Sequence, residues 1–168
     1  AVGEVMSIGK NYKEAFQKAI RSLENGRYGL GHAKDFDTLT KEQLLQKLIT
    51  ASSERHFVMY EALRKGATVE EIHELTKVKH YFIEQMKELV EEEEELAKSK
   101  GSLPADALLI QAKKDGFSDK YLSKILGVSE DDIRSKRISL GVEETWEGVH
   151  VSGTENSAYY YSTYNGTD

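Results

Sequence analysis

The residues whose types and spacing most resemble a metal site are His73 and its acidic neighbours. A zinc-protease helix needs two histidines at i and i+4 with a glutamate after the first. His73 is followed by Glu74, but Lys77 occupies the position of the second ligand. Glu70 and His73 have the Glu-x-x-His spacing of di-iron bundles, which need a second such pair on another helix, and we find none. The spacing therefore predicts no metal site.

The other histidines and the glycine-rich segment give the same answer. The remaining histidines have no obvious carboxylate or serine partner at helical spacing, which predicts surface or half-buried imidazoles: His32, His56, His80 and His150. Residues 26–32 follow a predicted helix, whereas a dinucleotide fingerprint follows a strand, and their spacing does not fit a P-loop. We therefore expect a loop there, and no catalytic, cofactor-binding or metal residues in the chain.

Residues 118–141 have the pattern of a helix-turn-helix, with the turn at Gly127 and Val128. Inner faces are predicted for Leu122, Ile125, Leu126, Val128, Ile133 and Ile138, and outward positive charge for Lys120, Lys124, Arg134, Lys136 and Arg137. The second helix, which would enter a DNA groove, begins with three carboxylates at residues 130–132 that would face phosphates. We predict a packed helical pair, with a nucleic-acid-binding module as the alternative.

Start and stop signals predict that these residues are carried on short helices. Helix starts are predicted at Asn11 with Glu14, Thr40 with Gln43, Thr68 with Glu71, Ser118 and Ser129, with Pro104 at a first helical position. Left-handed turns after helices are predicted at Gly26, Gly66, Gly101, Gly116, Gly127 and Gly141. The expected fold is all-α, an irregular orthogonal bundle of short helices with an extended C-terminal tail.

Apolar residues recur at intervals of three and four and predict one buried face on each helix. These faces comprise Ala15, Phe16, Ala19, Ile20 and Leu23, then Leu44, Leu45, Leu48 and Ile49, then Leu108 and Ala112. The longest helix is expected from near Lys79 to Lys100, with an inner stripe of Phe82, Met86, Leu89, Val90 and Leu96. Its glutamate run at 91–95 is predicted to be a solvated face.

Composition limits the class of protein. The 168 residues, with 39% hydrophobic and 31% charged, are typical of a folded globular domain. There is no cysteine, the default compartment is the cytoplasm, and no apolar run approaches a membrane span. A net charge of −6 disfavours nucleic acid as a partner. The tyrosine-rich tail from residue 149 is expected to pack on this domain or on a neighbour.

Three stretches resemble the large subunit of carbamoyl-phosphate synthase, in that family's order. Residues 3–9 (GEVMSIG) and 14–24 (EAFQKAIRSLE) are similar to the exit from its first ATP-grasp half. Residues 61–82 and 112–119 (AKKDGFSD) resemble its helical oligomerisation domain, and residues 159–164 (YYYSTY) resemble the lead into the second ATP-grasp half. The resemblance implies junctions at 1–9 and 149–168 and a helical oligomerisation domain over 10–148.

That resemblance also implies a function. The parent enzyme would be an ATP-dependent ligase that makes carbamoyl phosphate from bicarbonate and glutamine-derived ammonia, using ATP and Mg²⁺, for arginine or pyrimidine biosynthesis. The chain itself would be noncatalytic, with its own ATP-grasp halves, other large subunits and a glutaminase subunit or domain as partners, and no membrane or nucleic acid. Residues 149–158 depart from the family's usual Val-Asp-Thr-Cys-Ala-Ala-Glu-Phe run, and only Glu155 carries over. The sequence leaves open the biosynthetic branch, the role of that segment, the oligomeric state and the helices that form the interface.

Overall fold

A computed structural model describes residues 4–32, 34–150, 153, 155–156 and 159–166. The helices are α1 (Tyr12–Ser22), α2 (Lys41–Leu48), α3 (Arg55–Arg64), α4 (Val69–Thr76), α5 (His80–Ala97), α6 (Asp106–Lys114), α7 (Asp119–Leu126) and α8 (Glu130–Ser139), with a 3-10 turn at Lys34–Phe36. Two short strands follow, β1 (Thr145–Gly148) and β2 (Tyr160–Thr163). The predicted all-α domain with an extended tail is confirmed.

The chain forms two compact units. Residues 29–95 make the second unit, in which α2 packs against α3 and α4. Both α2 and α4 begin with the predicted capping boxes, because Thr40 and Thr68 each accept from the third residue, whose side chain accepts in return. The core of this unit is formed by Leu30, Phe36, Leu44, Leu48, Phe57, Val58, Met59, Tyr60, Ala62, Leu63, Ala67, Ile72, Ile83, Met86, Leu89 and Val90.

The second unit corrects two predictions about the longest helix. Ile83 is fully buried whereas Phe82 is 39% exposed, so the inner stripe begins one residue later than predicted. The glutamate run is not a uniformly solvated face, because Glu93 is buried and accepts a short hydrogen bond from the Tyr60 hydroxyl. His32 lies 3.3 Å from the other oxygen of that carboxylate. A helix directs successive side chains to different sides, so one member of an acidic run can face the core.

Residues 1–28 and 96–168 make the first unit. In it α7 packs against α8, and β1 pairs antiparallel with β2, with Thr145 opposite Thr163 and Gly148 opposite Tyr160. Ser118 and Ser129 cap their helices as predicted. The core of this unit is formed by Ile20, Leu96, Leu109, Ala112, Phe117, Tyr121, Leu122, Ile125, Leu126 and Ile133.

Helix α1 departs from its prediction most. Its buried residues are Glu14, Gln17 and Ile20. Of the predicted apolar face only Ile20 is therefore buried, and the other four members are half-buried: Ala15, Phe16, Ala19 and Leu23. These three buried residues are spaced three apart and so lie on one face of the helix, but two of them, Glu14 and Gln17, are polar. The segments that this face contacts must therefore satisfy its hydrogen bonds.

Smaller differences concern Pro104, Ile49 and Ile138. Pro104 precedes α6, whose N-cap is Ala105, and so is not a first helical residue. Ile49 is 55% exposed and Ile138 is 46% exposed, so neither belongs to the inner face predicted for it. All six glycines predicted to take left-handed conformations have positive φ, from 67° to 96°, which confirms the stop signals.

Candidate functional site: a clasp on α1 for both terminal segments

Glu14 binds both terminal segments of the described chain. We define the N-terminal segment as residues 4–10 and the C-terminal segment as residues 159–166. The backbone N–H of Lys10 donates to Oε1 of Glu14 at 3.3 Å. The Thr163 hydroxyl donates to Oε2 at 3.0 Å, and the Asn165 amide donates a shorter hydrogen bond to the same oxygen. Because Glu14 is only 2% exposed, this carboxylate depends on these donors.

Lys18 lies one turn further along α1 and also binds both terminal segments, through its ammonium group. Its Nζ donates to the carbonyl oxygen of Ile8 at 2.6 Å and to that of Ser162 at 2.7 Å. The first oxygen belongs to the N-terminal segment and the second to strand β2. Glu14 and Lys18, four residues apart on one helical face, thus form a clasp that holds the two terminal segments side by side.

A further ion pair joins the same two regions. Lys10 Nζ lies 2.6 Å from Glu147 Oε2 on β1, and the Tyr161 hydroxyl donates to that carboxylate at 3.2 Å. The hydrogen bond from Lys10 to Glu147 raises the pKa of this lysine. The β1–β2 pair is therefore bound to the N-terminal segment twice, directly through the ion pair of Lys10 with Glu147 and indirectly through the clasp.

The polar face of α1 also binds the turn after α6. Gln17 Nε2 donates to the Asp115 carbonyl at 2.9 Å, and Arg21 donates to the Gly116 carbonyl at 2.8 Å. A cavity beside Arg21 and Gly116, which Glu14 and Lys18 also line, has a volume of about 10 Å³, which is room for a single water. This arrangement suits the fixing of backbone segments to one another and not the binding of a small molecule.

A charged cluster with a buried lysine at its centre lies under the C-terminal segment. It consists of Lys113, Asp119 and Arg137. Lys113 Nζ lies 3.0 Å from one oxygen of Asp119, and Arg137 Nε lies 2.8 Å from the other. The ring of Tyr164 covers both cations, with its centroid 4.6 Å from Lys113 Nζ and 5.7 Å from the Arg137 guanidinium carbon. The cluster thus joins α6, α7 and α8 to the residue that follows β2.

Burial and the neighbouring charges shift the pKa values of this cluster in opposite directions. Burial lowers the pKa of Lys113 from 10.5 to about 8, against the opposing attraction of Asp119. Burial also opposes ionisation of Asp119, but Lys113 and Arg137 outweigh it and lower the pKa of that carboxyl group. At neutral pH the cluster therefore holds two cations and one anion in a protein interior.

This shifted pKa predicts an unusual gain of stability in mild alkali. Between pH 8 and 10.5 the unfolded chain binds more protons at Lys113 than the folded chain, so the free energy of unfolding should rise with pH. From pH 7.5 to 9.5 we expect a gain of about 2 kcal/mol relative to Lys113→Met, which lacks the titrating group. Urea unfolding of both proteins at the two pH values measures it, and parallel pH dependences would contradict the pKa.

The histidines lie outside the clasp and the charged cluster. His73 and His80 stack at 3.9 Å between ring centroids, and Glu70 lies 2.6 Å from His80 Nε2. His80 and His32 do therefore have carboxylate neighbours, which helical spacing within one helix did not reveal. Glu74 pairs with Lys77, the residue that takes the place of a second zinc ligand. Within the described ranges, no group of three or more His, Asp or Glu side chains is placed to hold a metal ion.

The helix-turn-helix pattern at residues 118–141 folds as the predicted helical pair, joined by a left-handed Gly127. Arg137 is not an outward positive charge, because it turns to Asp119. Glu130, Asp131 and Asp132 are all exposed at the start of α8, the position that would approach phosphates. This acidic start opposes DNA docking.

Sequence reasoning missed the functional side chains of α1. The sequence predicts Glu14 as part of a capping box, and Asn11 does accept from the Glu14 N–H, but the carboxylate itself binds Lys10 and the C-terminal segment. The available signal was a glutamate and a lysine four residues apart within the family-like 14–24 stretch. Nothing local in the sequence identifies their partners, which lie up to 151 positions away.

A comparison with known protein families finds a match over most of the chain. A family model described as "Carbamoyl-phosphate synthetase large chain, oligomerisation domain" matches residues 4–141. Among the helices of the described ranges, none has the length and apolar character needed to cross a membrane. The matches do not support the nucleic-acid alternative.

Three relatives show how this chain compares with longer proteins. It is 40% identical to the "Carbamoyl phosphate synthase large chain, N-terminal section" of Methanopyrus kandleri, over 98% of this chain and 32% of the relative. The protein of the same name from Aquifex aeolicus is also 40% identical, over 98% and 29%. The "Carbamoyl phosphate synthase large chain" of Archaeoglobus fulgidus is 41% identical, over 98% and 16%. The chain thus spans about a sixth to a third of these relatives.

Proposed function

Because the chain belongs to the family of carbamoyl-phosphate synthetase large-chain oligomerisation domains, we propose that it is the noncatalytic connecting and oligomerisation domain of such a large chain. The parent enzyme would be a cytoplasmic ligase that makes carbamoyl phosphate from bicarbonate and glutamine-derived ammonia, for arginine or pyrimidine biosynthesis. ATP and Mg²⁺ would bind to its ATP-grasp halves and not to this chain. Other large chains and a glutaminase subunit or domain would be its further partners.

The clasp is the observation that carries the connecting role. Glu14 and Lys18 each bind the N-terminal and the C-terminal segment, so the two segments cannot separate without breaking hydrogen bonds to buried or half-buried charges. Such bonds are stronger than neutral ones. If residues 1–9 and 149–168 join two ATP-grasp halves on either side of a helical domain at 10–148, the clasp fixes the distance between the points where those halves attach.

Lys18→Met in the full-length large chain tests this role. We expect slower overall synthesis of carbamoyl phosphate, because the two junctions would lose their shared anchor, while ATP hydrolysis by each half alone stays within about twofold. Lys87→Met is the matched control, since Lys87 is 51% exposed and pairs with Glu91 on its own helix. Equal loss of overall synthesis in both variants would contradict the connecting role.

Self-association is tested separately. In analytical ultracentrifugation, the average molar mass of the full-length large chain should rise with protein concentration. The same chain without residues 10–148 should stay at the mass of one chain. A deleted protein that still forms the same assembly would contradict the oligomerisation role. The isolated 168-residue chain, incubated with ATP and Mg²⁺, is expected to show no hydrolysis.

A further inference from the structure

We propose that the small cavity beside the clasp binds one monatomic anion, which is chloride in solutions that contain it. Three cationic side chains line this cavity, which we name the anion cavity: Lys18 and Arg21 from α1 and Lys113 from α6. The inference goes beyond the proposed function, because it assigns a ligand to the first unit of the chain whatever larger protein surrounds that unit.

The size of the anion cavity selects the ligand. Its volume of about 10 Å³ admits one particle about as large as a water molecule. Phosphate, nucleotides and carboxylic acids are too large to enter, whereas a chloride ion is only slightly larger than a water molecule. The side chains of Lys18 and Arg21 are long enough to move apart by that difference. A single halide ion therefore fits where an organic ligand does not.

The charges around the anion cavity favour an anion over water. Its lining includes the three cations together with two carboxylates, Glu14 and Glu144, which leaves one positive charge in excess. Glu14 already accepts the hydrogen bonds of the clasp, and Glu144 is exposed, so that solvent screens its charge. An anion in the cavity would balance the excess positive charge.

The pKa values of the three cations show that burial has removed part of their hydration. Burial is the largest influence on the pKa of Lys18, Arg21 and Lys113, and it lowers all three, that of Lys113 to about 8. Neighbouring carboxylates raise these pKa values but do not restore them. A charged group that leaves water needs another charge or hydrogen bond in its place. One anion in the cavity would serve all three cations.

Hydrogen-bond donors also remain for the anion. A guanidinium group carries five N–H donors and an ammonium group carries three. Among the described residues, Arg21 donates one hydrogen bond, to the carbonyl of Gly116. Lys18 donates two, to the carbonyls of Ile8 and Ser162. Because a halide ion accepts hydrogen bonds from any direction, it can bind the remaining donors of both side chains.

Urea unfolding of the 168-residue chain in chloride and in gluconate tests the site. Gluconate at the same ionic strength is the comparison, because it is too bulky to enter the cavity. With a Kd of about 10 mM, about 100 mM chloride should lower the unfolding equilibrium constant about tenfold, since the ion binds the folded chain alone. Arg21→Gln should abolish this difference. Arg134→Gln is the matched control and should keep it, because Arg134 is an exposed arginine of α8 outside the cavity lining.

Bromide locates the ion in the unaltered chain and decides the question even if Arg21→Gln does not fold. In crystals grown with sodium bromide, we expect an anomalous difference peak in contact with the side-chain nitrogens of Arg21 and Lys18. A cavity that holds only water would overturn the assignment, and so would equal chloride dependence in Arg21→Gln and Arg134→Gln. Both measurements use the isolated chain, so their failure is distinct from unchanged synthesis in Lys18→Met, which would reject the connecting function.

Discussion

Replacing Asp119 with alanine should destabilise the chain by about 3 kcal/mol, the lower end of the range for removing one partner of a buried ion pair, because the Asp119 side chain is 12% exposed and only Lys113 is fully buried. Asp119 is the single anion of the charged cluster, at 3.0 Å from Lys113 Nζ and 2.8 Å from Arg137 Nε. Without it two cations face each other, and the Lys113 side chain is only 3% exposed. Part of the cost is relieved if Lys113 loses its proton, since its pKa is already about 8.

Urea unfolding at pH 7 gives this free energy. Asp131→Ala is the matched control, because Asp131 is an exposed carboxylate in the first turn of α8 and should cost at most about 1 kcal/mol. The double variant Lys113→Met/Asp119→Ala should recover part of the loss, because the buried ammonium is gone. A double variant that loses the sum of the two single effects would show that the three charges do not act as a cluster.

The sequence predicted what local chemistry determines. Thr40 and Thr68 reach their partners three residues away, and a left-handed turn after a helix needs only a glycine at that point. The helical pair at 118–141 followed from the same signals. These interactions form within a few residues of the chain, so their residue types are visible as a pattern.

Polar interactions between distant segments were not predictable in this way. The buried face of α1 contains Glu14 and Gln17 because residues 115, 163 and 165 supply their hydrogen-bond partners, and no sequence period reveals that. Glu93 shows the same limit, since a run of five glutamates gives no sign that its third member meets Tyr60. In both helices a specific partner makes burial of a charged residue acceptable.

The tail illustrates a third case. The composition of residues 149–168 predicts extended structure, and β2 is extended, but its partner β1 lies at 145–148, before that segment, where the sequence predicts no strand. Strand pairing depends on a contact between residues 12 or more positions apart, and a four-residue segment is too short for its two strand-favouring residues, Thr145 and Trp146, to predict a strand. The clasp and the charged cluster hold residues 161–164 in place, and in that position β2 pairs with β1.

Gly116→Ala is the second large effect, at about 3 kcal/mol of lost stability. Gly116 has a φ of 96°, which side chains rarely adopt, and an added Cβ would lie 2.9 Å from the Glu14 Cα, a backbone atom that cannot turn aside. Gly66→Ala separates the two causes, because Gly66 has a φ of 89° with open space around it and should cost about 1–2 kcal/mol. Chemical denaturation of both variants measures the difference. Since α1 must move away from residue 116 to admit the methyl group, and Glu14 moves with it, Gly116→Ala should also weaken the clasp, visible as faster amide hydrogen exchange at Thr163 and Asn165 than in Gly66→Ala. Equal losses of stability in the two variants would show that α1 is not held against this turn.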